Sequence, residues 1–351
     1  MTTKNTRSDT YCGDHEVSIV DLSAFTANGD AESKRRAAID LREKLKVNGC
    51  IGIVGHGVSQ KMITEAFAVA KEFFDMPMEE KMKAPHPDAP VPHRGYSRPD
   101  DKNHVAAKTA KEMTSEAKKE MYSKTKDFKE AFDLGSEENR DEPNTWLPKG
   151  VYDGFREFTL KFYWELNKTS LAILDALIIS LDLTDEEADR VRALHPGHDH
   201  QLRLLHYPPV ARVEAADKLV TRMGAHTDWS TFTLLFQDTN GGLMYMDRAT
   251  DTFVDAAPID NVVYMNIGDM FERISNGIYP SALHQVVIHK PQKSRYSIPY
   301  FMCSLGDGVI EPQPSLVKRM GFQKYDPVTT MEYSTSAFQT VRDASEVLST
   351  D

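Results

Sequence analysis

In the stretch Gly224 to Tyr245, GAHTDWSTFTLLFQDTNGGLMY, a histidine and an aspartate stand two residues apart at the edge of an apolar run. Along an extended strand, residues i and i+2 point to the same side. His226 and Asp228 therefore face together and Thr227 faces away. An imidazole and a carboxylate on one face make two adjacent ligands for a divalent transition metal. A second histidine would complete a set of two histidines and one carboxylate on one face of an octahedron, leaving three positions open for a co-substrate and O2. Alone, the short H-x-D pattern reads more readily as a structural histidine with an aspartate partner or cap.

The run YPSALHQVVIHKPQKSRYSIPYF, further along the chain, adds weight to the metal reading. His284 precedes an apolar strand, far enough from His226 for several strands to intervene. Arg295 and Ser297 form another i, i+2 pair on one face, and Phe301 shares that face as a pocket-lining residue. A guanidinium offers a fork to a carboxylate and the hydroxyl adds one more hydrogen bond. Together they suit the far carboxylate of a small diacid; alone, Arg295 reads more readily as a surface salt bridge. In QLRLLHYPP, Arg203, Leu205 and Tyr207 share a face. An arginine directed into a barrel needs a partner, because burying a lone charge is costly. Either an anionic or carbonyl-bearing substrate or a structural acid supplies it. The cluster HPGHDH (His195, His198, His200) reads as a polar loop rather than a second metal site.

These residues need a frame. After residue 200 the chain breaks into short apolar segments separated by turns, the texture of an antiparallel sandwich or barrel. Before it, residues 31–48 read as a helix with Ala38, Leu41 and Leu45 at helical spacing. CIGIVGHGV reads as a buried strand, QKMITEAFAVAKEFFDMP as an amphipathic helix, and residues 151–181 as a long helix. Thr184 with Glu187 has the form of a capping box. The organisation expected is a flexible arm over 1–16, an N-terminal helical region over 17–150 and a catalytic core over 151–351. Within the second, residues 100–129 are charged, alanine-rich and poor in large apolar side chains. They are expected to be an insertion or a cover over the pocket mouth.

The 351 residues carry 42 basic and 53 acidic side chains, a formal net charge of −11. That balance argues against an extended nucleic-acid or anionic-membrane surface. No apolar run approaches the roughly 18 residues of a membrane span. The first 25 residues lack a signal-peptide core, so a cytoplasmic protein is expected. Cys12, Cys50 and Cys303 are too scattered for a disulfide framework or a cysteine metal site.

Taken jointly, VGHGV, RGYSRP, FKEAFDLG, NTWLP, LRLLHYPP, GAHTDWS, GGLMY, NIGDMFERISNGIYPSALHQVV and RYSIPYF resemble the Fe(II)/2-oxoglutarate-dependent oxygenases of the isopenicillin N synthase-like family over most of the chain. The resemblance implies an α+β fold: a double-stranded β-helix (jelly-roll) core with flanking N-terminal helices. It implies His226, Asp228 and His284 as iron ligands, with Arg295 and Ser297 on the distal carboxylate of 2-oxoglutarate. Tyr207 would contact the co-substrate, and Tyr96, in RGYSRP, would lie on a substrate-contacting loop. Two positions depart from the family pattern. Leu205 stands where many plant members have asparagine, so one polar contact is in doubt, and Gln285 stands where a basic residue commonly follows the histidine.

The expected activity is that of a non-haem dioxygenase. It uses Fe(II), 2-oxoglutarate and O2, hydroxylates a small molecule of secondary metabolism, and releases succinate and CO2. A same-fold oxidase catalysing cyclisation, desaturation or ring expansion shares the Arg-x-Ser motif. A non-catalytic β-sandwich binding protein would leave His226 and Asp228 structural.

Overall fold

The computed structural model describes residues 17–87, 93–99, 126–127, 129–210 and 220–336. The expected arm over 1–16 and nearly all of the expected cover over 100–129 lie outside the described residues.

The N-terminal helices form for local reasons. After a short turn α1 (Ser23–Thr26), α2 (Ala31–Asn48) starts at Asp30, whose carboxylate accepts from the Ser33 N–H at 2.7 Å. It buries Ala38, Leu41 and Leu45 and stops at Gly49, where φ is 70° and a left-handed conformation suits glycine. Helix α3 (Gln60–Asp75) is capped by Ser59 and buries Ile63, Ala66, Ala70, Phe73 and Phe74. A single turn, α4 (Met78–Lys81), follows Pro77. The long α5 (Phe155–Ser180) is succeeded by α6 (Asp185–Ala193), which opens with both hydrogen bonds of the Thr184–Glu187 capping box.

An eight-stranded sheet runs in the order β1 (Ile19–Asp21), β2 (Cys50–Val54), β12 (Val263–Ile267), β9 (Phe232–Gln237), β14 (Arg295–Met302), β6 (Gln201–Tyr207), β5 (Glu130–Gly135), β3 (Gly95–Ser97). A four-stranded sheet runs β11 (Thr252–Asp255), β10 (Leu243–Asp247), β13 (His284–Val286), β8 (Met223–His226). Two small pairs, β4 (Lys126–Asp127) with β7 (Val220–Thr221) and β15 (Val309–Ile310) with β16 (Val328–Thr329), lie outside these sheets. Two short helices, α7 (Asp269–Ile274) and α8 (Pro314–Met320), lie in the C-terminal half.

The two larger sheets share an inner core of Leu205, Tyr207, Leu235, Leu243, Tyr245 and Val286, which makes the body a jelly roll with helices on one side. Strand β14 shows the division of labour. Ile298, Tyr300 and Met302 join the outer core beneath the helices, while Arg295, Ser297 and Phe301 alternate to the inner side. Phe73 of α3 meets Phe132 of β5 and Phe155 of α5, each at 4.9 Å between ring centroids. Burying each such ring stabilises the fold by about 1.5–3 kcal/mol, so α3 and α5 hold the outer face of the sheet in place. The β14–β6 pairing is interrupted between Ser297 and Tyr300, where Pro299 has no N–H to donate. None of the helices described is long and apolar enough to cross a membrane.

Candidate metal centre and co-substrate pocket

His226 ends β8 and His284 begins β13, and the two are register partners in the antiparallel ladder. Pairing brings their rings to 4.2 Å between centroids. Asp228 follows two residues after His226, and its Oδ1 lies 3.6 Å from His226 Nε2 and 3.9 Å from His284 Nε2. Ligand-capable atoms of all three lie within 4.8 Å of one another, the one such group among the described residues. The nitrogen–oxygen spacings are too long for hydrogen bonds.

The tautomers fit a metal. His226 Nδ1 faces the Gly224 oxygen at 2.8 Å and His284 Nδ1 faces the Ala282 oxygen at 3.1 Å. A carbonyl can only accept, so each Nδ1 presents a proton to it and each Nε2 is left facing inward. Burial, followed by the neighbouring His284, pushes the His226 imidazole down to about 4, which keeps it neutral and ready to ligate. Burial works against ionisation of Asp228. The two histidines, when protonated, and bonds from Thr233 and Asn266 outweigh it and hold the carboxyl below its usual range.

Those two bonds orient the carboxylate. The Thr233 hydroxyl and the Asn266 amide, at 2.8 Å, both donate to Asp228 Oδ2, leaving Oδ1 toward the histidines. Tyr245 in turn donates to Asn266 at 3.3 Å. The loop carrying Asp228 is tied to the start of α7, since the Asp269 N–H donates to the Asp228 backbone carbonyl at 2.8 Å. Gly268 permits this approach, because a Cβ there would stand 2.0 Å from the Ser230 oxygen. Sequence reading did not single out Thr233, Asn266 or Tyr245. A polar Asn266 in the otherwise apolar β12 was the available signal.

Arg295 is buried at 1% exposure. Its Nε donates to the Gly241 oxygen at 2.8 Å, Nη1 to Ser297 Oγ at 3.1 Å and Nη2 to Gln237 Oε1 at 3.3 Å. The guanidinium carbon lies 5.0 Å from the centroid of Tyr207, its register partner on β6. All its acceptors are neutral, so the site holds a buried positive charge with no described carboxylate bonded to it. Such a charge is stabilised by an anion placed beside it.

Arg203 resolves the choice left open by the sequence in part. Its Nε donates to Asp133 Oδ1 of β5 at 2.6 Å, and Gln201 also donates to that oxygen. The structural acid thus exists, and the sequence did not point to it. The two η-nitrogens of Arg203 donate to no described residue, and its guanidinium lies 5.7 Å from the Phe301 ring centroid. Leu205 stands opposite Ser297 on the inner face.

Tyr96 is a correction. It is 1% exposed, its ring packs against Phe73, and its hydroxyl donates to Glu130. It pairs with Phe132 in the β3–β5 ladder, and both rings lie on the helix side of the sheet. The position is a structural one, facing away from the metal-ligand set. In the HPGHDH cluster, His195 bonds Val191 and Thr231, and His200 bonds Tyr300.

Comparison with known proteins agrees with this geometry. Residues 198–304 match the family model described as the 2OG-Fe(II) oxygenase superfamily. Residues 17–150 match the non-haem dioxygenase in morphine synthesis N-terminal model. The chain is 31% identical to the 2-oxoglutarate-dependent dioxygenase htyE of Aspergillus rugulosus, over 91% of this chain and 97% of that protein. It is likewise 31% identical to the proline hydroxylase buaE of Petromyces alliaceus, over 92% and 98% of the two chains. Among solved structures, a full-length Neurospora crassa protein in complex with alpha-KG and thymine superposes with a TM-score of 0.79 at 27% identity, covering 96% of this chain and 99% of that one.

Proposed function

This chain belongs to the 2OG-Fe(II) oxygenase superfamily and is a 2-oxoglutarate-dependent dioxygenase, and from that premise we propose the roles of its residues and the nature of its substrate. His226, Asp228 and His284 hold the Fe(II). Arg295 and Ser297 receive the distal carboxylate of 2-oxoglutarate, with Tyr207 as the wall behind it. The substrate is a small molecule of secondary metabolism that is hydroxylated beside Arg203 and Phe301.

Bound at this site, Fe(II) supplies the reaction with O2 in which 2-oxoglutarate gives succinate and CO2 while one oxygen atom enters a substrate C–H bond. The side chains position and shield. The Gly224 and Ala282 carbonyls fix the two imidazoles, and Thr233 with Asn266 fixes Asp228. The Arg295 fork aligns the co-substrate along the barrel. Leu205, Leu235 and Leu243 make the interior apolar, which keeps water from competing with the substrate. Arg203, neutralised by Asp133 through one edge, offers its other edge to an oxygen acceptor of the substrate. Proline and thymine, named for the relatives above, each carry such an acceptor, as a carboxylate or a ring carbonyl.

The observation that carries this reading is the convergence of two inward Nε2 atoms and Asp228 Oδ1 in the same barrel as a buried Arg295 bonded to neutral acceptors. The experiment is iron analysis of the purified chain, then succinate release across a panel of carbonyl- and carboxylate-bearing small molecules that begins with thymine and L-proline. Iron should be bound and lost in Asp228→Ala, and 2-oxoglutarate should be consumed only with iron present. Stoichiometric iron and unaltered turnover in Asp228→Ala would remove the assignment.

A further inference from the structure

A second buried arginine stands close to the co-substrate pocket. Arg222, just before β8, is 3% exposed. Its Nη1 donates to the Tyr207 carbonyl at 3.2 Å, and its Nη2 donates to the carbonyls of Lys293 at 2.7 Å and Lys290 at 3.3 Å. Every one of these acceptors is neutral, as at Arg295. Asp238, an acid that bears on Arg222 electrostatically, has its carboxylate occupied by Asn240 and the Tyr296 N–H.

The two guanidinium groups share one ring. The carbon of Arg295 lies 5.0 Å from the Tyr207 centroid and that of Arg222 lies 5.7 Å from it. Burial, then the charge of Arg295, pushes Arg222 down to about 10. Two like charges in a poorly solvated pocket repel, and an anion between or beside them relieves both. Plain structural stapling would need only the three carbonyl bonds. It gives no reason for two cations around one tyrosine.

We propose that Arg222 is a second cationic group of the 2-oxoglutarate pocket, a positioning residue that holds Tyr207 and the 290–293 turn against Arg295 and adds its charge to the field selecting the distal carboxylate. The inference rests on the reading that Arg295 and Ser297 receive that carboxylate. It extends that reading to the choice of co-substrate: a 2-oxo acid lacking the second carboxylate gains nothing from Arg222.

The test is calorimetric titration of the full chain, loaded with Fe(II) under anaerobic conditions. The ligands are 2-oxoglutarate and 2-oxopentanoate, which keeps the chelating head and carries a methyl group in place of the distal carboxylate. In Arg222→Met, 2-oxoglutarate should bind about tenfold more weakly while 2-oxopentanoate shifts by less than about twofold. Arg222→Lys, which keeps the charge and loses most of the carbonyl bonds, should stay within about threefold of the parent for both ligands. Equal weakening of both acids in Arg222→Met, or a lysine variant as weak as the methionine one, assigns Arg222 to stapling alone and overturns the proposal. Unchanged 2-oxoglutarate binding in Arg222→Met overturns it too. Arg295→Met separates the two levels. If it weakens 2-oxoglutarate and Arg222→Met does not, only Arg222 loses its role. If Arg295→Met changes nothing, the underlying reading of the pocket fails.

Discussion

Asn266 donates its side-chain amide to Oδ2 of Asp228 across 2.8 Å, while Oδ1 of the same carboxylate faces His226 and His284. One oxygen is spent on orientation and the other is left for a metal. Removing the orienting bond lets the carboxylate rotate and leaves Thr233 as its remaining side-chain donor. Asn266→Ala should therefore weaken Fe(II) binding by about 10–100-fold, the usual range for an outer hydrogen-bond partner of a ligand. Competition with a chelator of known affinity measures it. An unchanged iron affinity would show that the Thr233 bond and the backbone orient Asp228 without Asn266.

Arg295 makes a separate prediction, because it bonds Gly241, Ser297 and Gln237 and none of the three proposed ligands, and the distal carboxylate of 2-oxoglutarate is proposed to bind there. Arg295→Ala removes a charge-assisted fork worth about 1.5–3 kcal/mol, so the apparent KM for 2-oxoglutarate should rise by at least about tenfold. Iron content should stay at the parent level. Steady-state succinate release with 2-oxoglutarate as the varied reactant, paired with metal analysis, checks both halves. A parallel loss of iron would mean that the substitution has disturbed the barrel and not just the fork.

How far the sequence reached depends on the range of each interaction. Helices α2 and α3 and the Thr184–Glu187 box were legible because their signals, helical periodicity and caps within a few residues, are local. So was the common face of His226 and Asp228. The meeting of His226 with His284 needs the β8–β13 register, which no local pattern states. The same holds for Asp133, which lies 70 residues before its partner Arg203, and for Asn266, 38 residues after Asp228. Tyr96 shows the cost of lacking register. A strand of three residues does not say which face is inside, and pairing with β5 turned the ring under α3.

Away from the pocket, Lys81 and Glu130 form an ion pair at 2.7 Å, with side chains 6% and 5% exposed. Glu130 also accepts from His206 at 2.6 Å and from Tyr96, and Lys81 also donates to the Phe74 carbonyl at 3.0 Å. The group ties the end of α3 and α4 to β5 and β6 behind the barrel. Glu130→Gln leaves the Lys81 ammonium buried without its counter-charge and should cost about 3–5 kcal/mol. Lys81→Met with Glu130→Gln should cost less than the sum of the two single changes, since neither uncompensated charge then remains. Urea unfolding of the four proteins gives the cycle. A cost below about 1 kcal/mol for Glu130→Gln would mean that water reaches the pair.

His195 supplies a pH prediction that is independent of the metal. It is 1% exposed, with Nδ1 on the Val191 carbonyl and Nε2 on the Thr231 hydroxyl, each at 2.7 Å. Burial pushes its imidazole from 6.5 down to about 4, against a smaller opposing effect of the Val191 bond. The folded chain therefore keeps this histidine neutral where the unfolded chain protonates it. With a depressed folded value, its stabilising contribution is complete above pH 6.5 and is lost progressively as pH falls toward about 4. The slope within that window reaches about 1.4 kcal/mol per pH unit for one proton. His200, pushed down to about 3 by burial and then by the charges of His195 and His198, adds to the same loss and continues below it. His195→Gln keeps an amide to bond Thr231 and cannot take up the proton. Its stability at pH 7 should be lower than the parent's, and its fall between pH 6.5 and 4 should be shallower by about one proton's worth. Urea unfolding of the metal-free chain at half-unit pH steps measures the two slopes, and parallel curves would mean that His195 is protonated in the fold with water admitted to its side.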